Sequence, residues 1–150
     1  MSLPAIAVAS DHGGFELKTA LAEELARLGL SVLDLGTDGL ASVDYPDFSH
    51  ALVMALRDGR AERGVLVCGT GIGMSIAANR YPWIRAALVH DAFTARMARL
   101  HNDANVIVFG GRTIGGDVAK DCLHVFIDTA FEGGRHARRV AKIDSVVKVL

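Results

Sequence analysis

Reactive side chains follow three of the apolar runs in this chain. Asp11 and His12 come after "AIAVA", within the segment "SDHGG". Cys68 ends "GVLVC", Thr70 lies two residues further on, and Arg112 follows "NVIVFG". A thiol and an imidazole can transfer protons, and an arginine binds anions such as phosphate through several hydrogen bonds. If the fold brings these positions together, they predict a site for proton transfer on an anionic ligand.

The elements that must position these residues alternate along the chain. Apolar runs that could be strands cover 5–9, 31–35, 64–68, 85–89 and 105–110, and segments with helical periodicity cover 15–29, 47–59, 74–80, 91–102 and 115–131. Runs that are apolar throughout are typical of a sheet buried on both faces. The pattern predicts one α/β domain over residues 1–150. We expect a Rossmann-like three-layer α/β/α sandwich with a five-stranded, mostly parallel sheet, plus a C-terminal helix.

This fold class predicts where the chemistry lies. In an open parallel sheet, ligands bind beyond the carboxyl ends of the strands. The segments "SDHGG", "CGTGIG" and "GGR" all follow predicted strands, so they share that edge. A longer loop with Gly36, Gly39 and Pro46 follows the second strand.

The glycine loop after the third strand could hold an anion. It consists of Gly69, Thr70, Gly71, Ile72 and Gly73. Glycines allow close approach of a ligand, and free N–H groups before a helix favour negative charge. The residue after the loop, Met74, excludes a dinucleotide fingerprint and a phosphatase loop, and no Gly-Lys pair supports a Walker loop. The alternative is a tight turn with no ligand.

Single residues allow both a structural and a functional interpretation. A lone cysteine at the end of a buried strand is usually a small core residue, whereas a position near a helix N-terminus favours the thiolate and could make Cys68 a base or nucleophile. Cys122 lies among apolar residues of a predicted helix, so we expect it in the core. His101 and Asn102 in "LHND" could form a helix cap or a polar site.

Basic residues near the C-terminus suggest a phosphate contact. Arg135 and Arg139 are four residues apart and share one helical face, which suits phosphate or simply a solvated basic surface. His50, His90, His124 and His136 show no metal-ligand spacing, so the sequence predicts no metal. The helix predicted over 135–150 carries an apolar stripe of Val140, Ile143, Val147 and Leu150, which could pack on its own domain or on a partner subunit.

Bulk composition excludes several function classes. The formal net charge is −1 and there is no alternation of basic and aromatic residues, so we expect no nucleic-acid partner. Apolar runs of about five residues are far shorter than a membrane span needs, so we expect no membrane. Two cysteines far apart and no secretory leader predict reduced thiols and a cytoplasmic protein.

Taken together, the motifs resemble one family. The segments "SDHGGFELK", "DYPDF", "CGTGIGMSIAANR", "IRAALVHD", "ARLHNDANVIVFGGR" and "FEGGRHARRV" occur in the order typical of B-type ribose-5-phosphate isomerases, which are grouped with galactose-6-phosphate isomerase subunits. The resemblance covers essentially the whole chain. It implies aldose–ketose isomerisation of D-ribose 5-phosphate and D-ribulose 5-phosphate, without metal or cofactor.

The resemblance also implies a role for each candidate residue. Cys68 matches the general base, and His101, assisted by Thr70, matches the group that opens the furanose ring. The loop from Gly69 to Gly73 matches the segment that stabilises the enediolate. The remaining matches are substrate contacts at Asp11, His12, Asn102 and Arg112, and a phosphate clamp of Arg135 and Arg139. The family's sites form between subunits, which implies a homodimer or a dimer of dimers.

Two alternatives stay open from the sequence. Because the family shares its chemistry across sugars, the substrate could be a six-carbon phosphate such as allose 6-phosphate or galactose 6-phosphate. The fold could also serve a non-catalytic sugar-phosphate sensor. The joint presence of Cys68, Thr70 and His101 favours an enzyme, because a sensor needs no base.

Overall fold

A computed structural model describes residues 5–146, which form five strands, six α-helices and a short 3-10 helix at His12–Gly14. The strands are β1 (Ile6–Ser10), β2 (Val32–Asp34), β3 (Arg63–Cys68), β4 (Ala86–Leu88) and β5 (Val106–Gly110). The helices are α1 (Phe15–Arg27), α2 (Tyr45–Arg57), α3 (Ile72–Ala78), α4 (Ala92–Leu100), α5 (Gly116–Asp128) and α6 (Arg135–Ser145). All five predicted strands are confirmed, with ends shifted by at most one residue.

The strands form one sheet in the order β2-β1-β3-β5-β4, and each neighbouring pair runs parallel. The chain moves outward from β1 to β2, and then crosses back over β1 to β3. The direction of winding therefore reverses between β1 and β3. Such a reversal leaves a crevice at the carboxyl ends of the two strands, where open α/β sheets bind ligands.

Helices cover both faces of the sheet because both faces are apolar. Val8, Val67 and Phe109 point to one face, where they pack with buried side chains of α1, α4 and α5. Ala9 and Val108 point to the other face and pack with α2 and α3. The central strands β1 and β5 are buried at every position. The predicted three-layer α/β/α sandwich is confirmed.

Local signals in the sequence explain several helix ends. The Asp91 carboxylate accepts a hydrogen bond from the Thr94 N–H at 2.7 Å and so caps α4, as expected. Gly29 has φ +82° and follows the last turn of α1, where a left-handed residue ends a helix most easily. Several boundaries differ from the expectation: α3 begins at Ile72 rather than at residue 74, and α5 ends at Asp128 rather than at residue 131. Pro46 is not in a loop but in the first turn of α2, where its missing N–H costs no helical hydrogen bond.

The loop between β2 and α2 is held at both ends. The ammonium of Lys18, whose side chain is 3% exposed, donates to the Asp34 carboxylate at 3.0 Å and to the Thr37 carbonyl at 2.8 Å. At the other end, the Val43 N–H donates to Nδ1 of His12 at 3.2 Å. These contacts fix the loop beside the carboxyl end of β1.

The C-terminal helix packs on its own chain only in part. His136 and Val140 in its first half are buried, whereas Ile143 is 53% exposed and Val146, just after the helix, is 59% exposed. The rest of the predicted stripe, Val147 and Leu150, lies outside the described residues. None of the helices described between residues 5 and 146 has the length and apolar character that crossing a bilayer demands.

Candidate active site

Three loops meet at the carboxyl edge of the sheet and bond to one another through their backbones. The Gly111 N–H donates to the Cys68 carbonyl at 2.8 Å, and the Arg112 N–H donates to the Gly69 carbonyl at 2.9 Å. The Asp11 N–H donates to the Val67 carbonyl at 3.3 Å. The loops after β1, β3 and β5 therefore form one continuous backbone surface around the end of β3.

These loops approach so closely that side chains would not fit between them. A Cβ atom at Gly14 would lie 2.5 Å from the Val67 carbonyl oxygen, and one at Gly111 would lie 2.7 Å from the Gly13 carbonyl oxygen. Both distances are well inside van der Waals contact, and the obstructing atoms belong to the backbone. Glycine at these positions is thus required by the contact between the loops.

Cys68 ends β3 at the centre of this surface. The residue is 5% exposed, and its Sγ accepts a hydrogen bond from the Gly71 N–H at 3.2 Å. Gly71 reaches this position with φ +79°, a conformation that favours glycine. The contact distinguishes this cysteine from an ordinary core residue.

The rest of the glycine loop lies open beside the thiol. Thr70 is exposed, and its Oγ1 accepts the Ile72 N–H at 3.3 Å. The Ile72 side chain is 54% exposed. Gly73 lies under an aromatic ring, because a Cβ there would be 2.6 Å from Cζ of Tyr45. Tyr45 was missed by sequence reasoning, and the available signal was Pro46, which marks a helix start and so places Tyr45 at the same edge of the sheet.

Asp11, His12 and Arg112 complete this group. The Asp11 carboxylate is nearly buried and accepts the Gly14 N–H at 3.1 Å. Because Nδ1 of His12 accepts a hydrogen bond from the backbone, a neutral His12 ring carries its proton on Nε2. His12 and Arg112 line a pocket of about 270 Å³ whose rim includes Leu40. A cation and an N–H donor in one small pocket suit a phosphate group.

The other predicted site residues lie at the opposite edge of the sheet. His101 and Asn102 follow α4 and precede β5, so they stand at the amino ends of the strands. Arg135 and Arg139 lie on α6, which begins at the same edge, and both are exposed. The five residues of β5 span roughly 16 Å at ~3.3 Å per residue. Within one chain the two groups therefore do not form one site.

His101 belongs to a compact cluster at this second edge. Its ring stacks on the His136 ring with centroids 4.0 Å apart and 12° between planes. An Oε2 atom of Glu132 lies 3.9 Å from Nε2 of each histidine. The Glu132 N–H donates to the Leu100 carbonyl at 3.1 Å, which ties this segment to the residue before His101.

Ion pairs of Asp103 with two arginines stabilise the turn that contains His101 and Asn102. Asp103 adopts φ +47°, which aspartate tolerates better than most residues. Its carboxylate accepts hydrogen bonds from Arg99 at 2.9 Å and from Arg85 at 3.3 Å. The network fixes the backbone of the two preceding residues.

Glu132 and His136 were missed by sequence reasoning. The spacing argument compared histidines only with one another, whereas the available signal was a glutamate four residues before a histidine. Burial lowers the pKa of His136, and the nearby charges of His101 and Arg135 lower it further. The prediction of no metal was based on sequence spacing and stays a prediction, although ligand atoms of His101, Glu132 and His136 lie within 4.8 Å of one another.

A larger groove of about 770 Å³ lies at this second edge, away from Cys68. It runs between the start of β4 and α6 and is lined by Asn102, Ile143 and Val146, among others. Its walls are mostly apolar, unlike the pocket beside Arg112.

Comparison with known proteins identifies the family. The family model described as Ribose/Galactose Isomerase matches residues 6–143. The chain belongs to this family. The ribose-5-phosphate isomerase B of Clostridium thermocellum, whose structure is solved, is 47% identical, and the alignment covers 97% of this chain and 98% of that one with a TM-score of 0.95. This agreement confirms the predicted α/β fold and the family resemblance that the sequence motifs indicated.

Two curated relatives differ in the sugar that their names state. Ribose-5-phosphate isomerase B of Escherichia coli strain K12 is 39% identical over 94% of this chain and 95% of its own length. The D-erythrulose-4-phosphate isomerase of Pectobacterium atrosepticum is 42% identical over 92% of this chain and 91% of its own length. Both family members are thus similar to this chain along nearly its whole length.

The contact between loops gives a testable prediction. We expect Gly111→Ala to lower the free energy of unfolding by about 1–3 kcal/mol, because the methyl group meets a backbone oxygen that cannot rotate away. Gly116→Ala is the matched control, since nothing lies within 4 Å of that position and alanine suits a helix start. Urea denaturation of both variants checks this. Equal stability of the two variants would contradict the proposed loop contact.

Proposed function

We propose that this protein interconverts D-ribose 5-phosphate and D-ribulose 5-phosphate through a cis-enediolate. The observation that carries the proposal is the buried Cys68 thiol, which receives an N–H donor from its own glycine loop beside the pocket of His12 and Arg112. Membership of the Ribose/Galactose Isomerase family supports the reaction class. The names of the relatives support a sugar phosphate as substrate.

The chemistry follows from the arrangement at the carboxyl edge. The Cys68 thiolate removes the proton from C2 of the open-chain aldose, and the electron pair of that bond forms the enediolate with C1. Backbone N–H groups of the loop from Gly69 to Gly73 stabilise the negative oxygens, since they are already oriented before the charge develops. The hydroxyl proton on O2 then moves to O1, and Cys68 returns its proton to C1 as the carbonyl forms at C2, which leaves the ketose. Asp11 and Thr70 hold sugar hydroxyls beside the thiol.

The furanose ring must open before this step, and we assign that task to His101. An imidazole can give a proton to the ring oxygen and take one from the C1 hydroxyl near neutral pH. Because His101 lies at the amino edge of its own sheet, it cannot reach the substrate at its own Cys68. We therefore propose that a second copy of the chain supplies His101, together with Asn102, Arg135 and Arg139.

Several surfaces fit such a dimer. Ile72 and Ile76 leave an exposed apolar face on α3 next to Cys68, and Ile143 and Val146 leave another beside the large groove. A twofold arrangement that covers these faces would bring the second copy's exposed arginines to the phosphate pocket at Arg112. In this dimer, the C-terminal helix packs on its own chain through Val140 and on the partner through its distal half.

A reducing compartment suits this chemistry. Cys68 and Cys122 are both free, and the base must remain an unoxidised thiol. We therefore place the protein in the cytoplasm.

The assignment of the base is tested by removing the thiol. We expect Cys68→Ala to lower kcat at least about 100-fold, the usual contribution of a general base. Exchange of the C2 proton of ribose 5-phosphate with deuterated solvent should fall in parallel. Cys122→Ala is the matched control, because it truncates a buried cysteine in α5 and should lower stability without lowering kcat. Near wild-type isomerisation by Cys68→Ala would remove Cys68 as the base.

The composite site is tested by mixing two impaired variants. Cys68→Ala and His101→Asn each damage every site of their own homodimers, but a mixed dimer contains one site with both wild-type residues. With random exchange of subunits, we expect about a quarter of the wild-type number of sites to recover. The measurement is the isomerisation rate after the two proteins are unfolded and refolded together. No recovery beyond the sum of the separately refolded variants would show that each chain builds its own site.

The length of the sugar is a second open choice. One relative is named for a four-carbon substrate, so shorter sugar phosphates must be tested as well. A six-carbon sugar phosphate is the alternative substrate that the sequence left open. The loop from Thr37 to Asp44 borders the pocket through Leu40 and could limit the length of the substrate. We expect kcat/KM to be highest for ribose 5-phosphate in a panel of four-, five- and six-carbon phosphates. A higher value for another sugar would reassign the substrate but keep the chemistry.

Exchange of the C2 proton, measured with the same sugar phosphates, distinguishes an isomerase from a non-catalytic sensor. A sensor would bind a sugar phosphate tightly without exchange of the C2 proton, whereas an isomerase must exchange or transfer that proton. Detectable exchange with the wild-type protein excludes the sensor.

A further inference from the structure

The cluster at the amino edge contains the ligand types of a transition-metal site. His101 and His136 each offer an imidazole nitrogen, and Glu132 offers a carboxylate oxygen. The backbone places these three groups together in two ways. The Glu132 N–H is bonded to the carbonyl of Leu100, and the His136 N–H donates to the Gly133 carbonyl at 3.0 Å.

One atom in the cluster lacks a partner. Nε2 of His136 is buried and forms no hydrogen bond with any of residues 5–146, and the residue is only 4% exposed. It points at Glu132, but the 3.9 Å separation is too long for a hydrogen bond. A buried polar atom without a partner is unfavourable, so a ligand that satisfies it gains binding energy.

We propose that His101, Glu132 and His136 bind Zn²⁺, with a fourth position left open to water. Two imidazoles and one carboxylate are a common ligand set for zinc, whereas Mg²⁺ and Ca²⁺ prefer oxygen ligands. The two partners of the buried His136 have freedom to adjust, since the side chains of His101 and Glu132 are 37% and 47% exposed.

Binding requires a modest closure of the cluster. Tetrahedral zinc with bonds of about 2.0–2.2 Å holds its ligand atoms roughly 3.3 Å apart. The ligand atoms now lie within 4.8 Å, and the stacked imidazoles must tilt so that their lone pairs converge. His101 makes this movement, because its side chain is partly exposed whereas His136 is buried. The positive charge of Arg135 beside His136 opposes a dication, so the affinity is lower than that of a structural zinc site.

The consequence for activity rests on the proposed function. A metal on Nε2 of His101 occupies the lone pair that ring opening needs, so Zn²⁺ inhibits the isomerase rather than assisting it. Zinc binding itself does not depend on that function, and the two are measured separately.

The test uses the full chain with Cys68→Ser, which removes the thiol nearest the surface as a competing zinc ligand. Calorimetric titration with ZnCl₂ is expected to give one site per chain, and Co²⁺ is expected to give the visible absorption of a tetrahedral complex. Glu132→Gln and His101→Asn, both at partly exposed residues, should each weaken Zn²⁺ binding at least about tenfold. His136→Asn should do the same, provided that circular dichroism shows a folded protein.

His124→Asn is the matched control. His124 is 39% exposed in its side chain and already contacts the Glu24 carboxylate, so it offers a histidine–glutamate pair that has no third ligand among residues 5–146. Its zinc affinity should equal that of the parent. Unchanged affinity in Glu132→Gln and His101→Asn overturns the proposal, and so does an equal loss in His124→Asn. The zinc titrations test only the metal site, so they remain valid if the protein proves not to be an isomerase. Likewise, a protein that binds no zinc could still be an isomerase.

Discussion

The polarity of the parallel sheet is the constraint on which the rest of this molecule depends. All five strands point the same way, so residues that follow strands gather at one edge and residues that precede strands gather at the other. Cys68 stands at the first edge and His101 at the second, separated by the length of a strand. A chain built this way can hold two halves of a site but cannot join them by itself. Association of two chains is then a geometric requirement of the proposed chemistry.

Close contact between the loops fixes the positions of the backbone groups at the carboxyl edge. The loops after β1, β3 and β5 share backbone hydrogen bonds and leave no room for side chains at Gly14 and Gly111. A surface made of backbone has fewer ways to move than one made of side chains, so N–H groups stay where they are placed. This rigidity is what a site needs if it is to stabilise a negative intermediate without reorganising.

The sequence predicted most of the fold because the fold depends on local and periodic signals. Apolar runs located all five strands, and Asp91 and Gly29 located two helix ends. The start of α2 was predicted two residues late, since Pro46 was taken for a loop residue although proline also favours a first turn. The carboxyl-edge residues were grouped correctly because the common direction of the strands decides at which edge they lie. Glu132 and His136 could not be found in this way, since their meeting with His101 depends on where the chain turns after α5.

The two cysteines show what a sequence cannot distinguish. Both are buried, and residue type alone allows either of them to be a core residue or a reactive thiol. Burial raises the pKa of Cys122 to about 11, and the charges of Asp91 and Asp121 add to the effect, so at neutral pH it remains a thiol. Cys68 instead ends its strand where Gly71 turns an N–H toward the sulfur. Cys68 thus differs from Cys122 in that its sulfur contacts a loop N–H at the carboxyl edge of the sheet, and that donor exists because a glycine allows the left-handed turn.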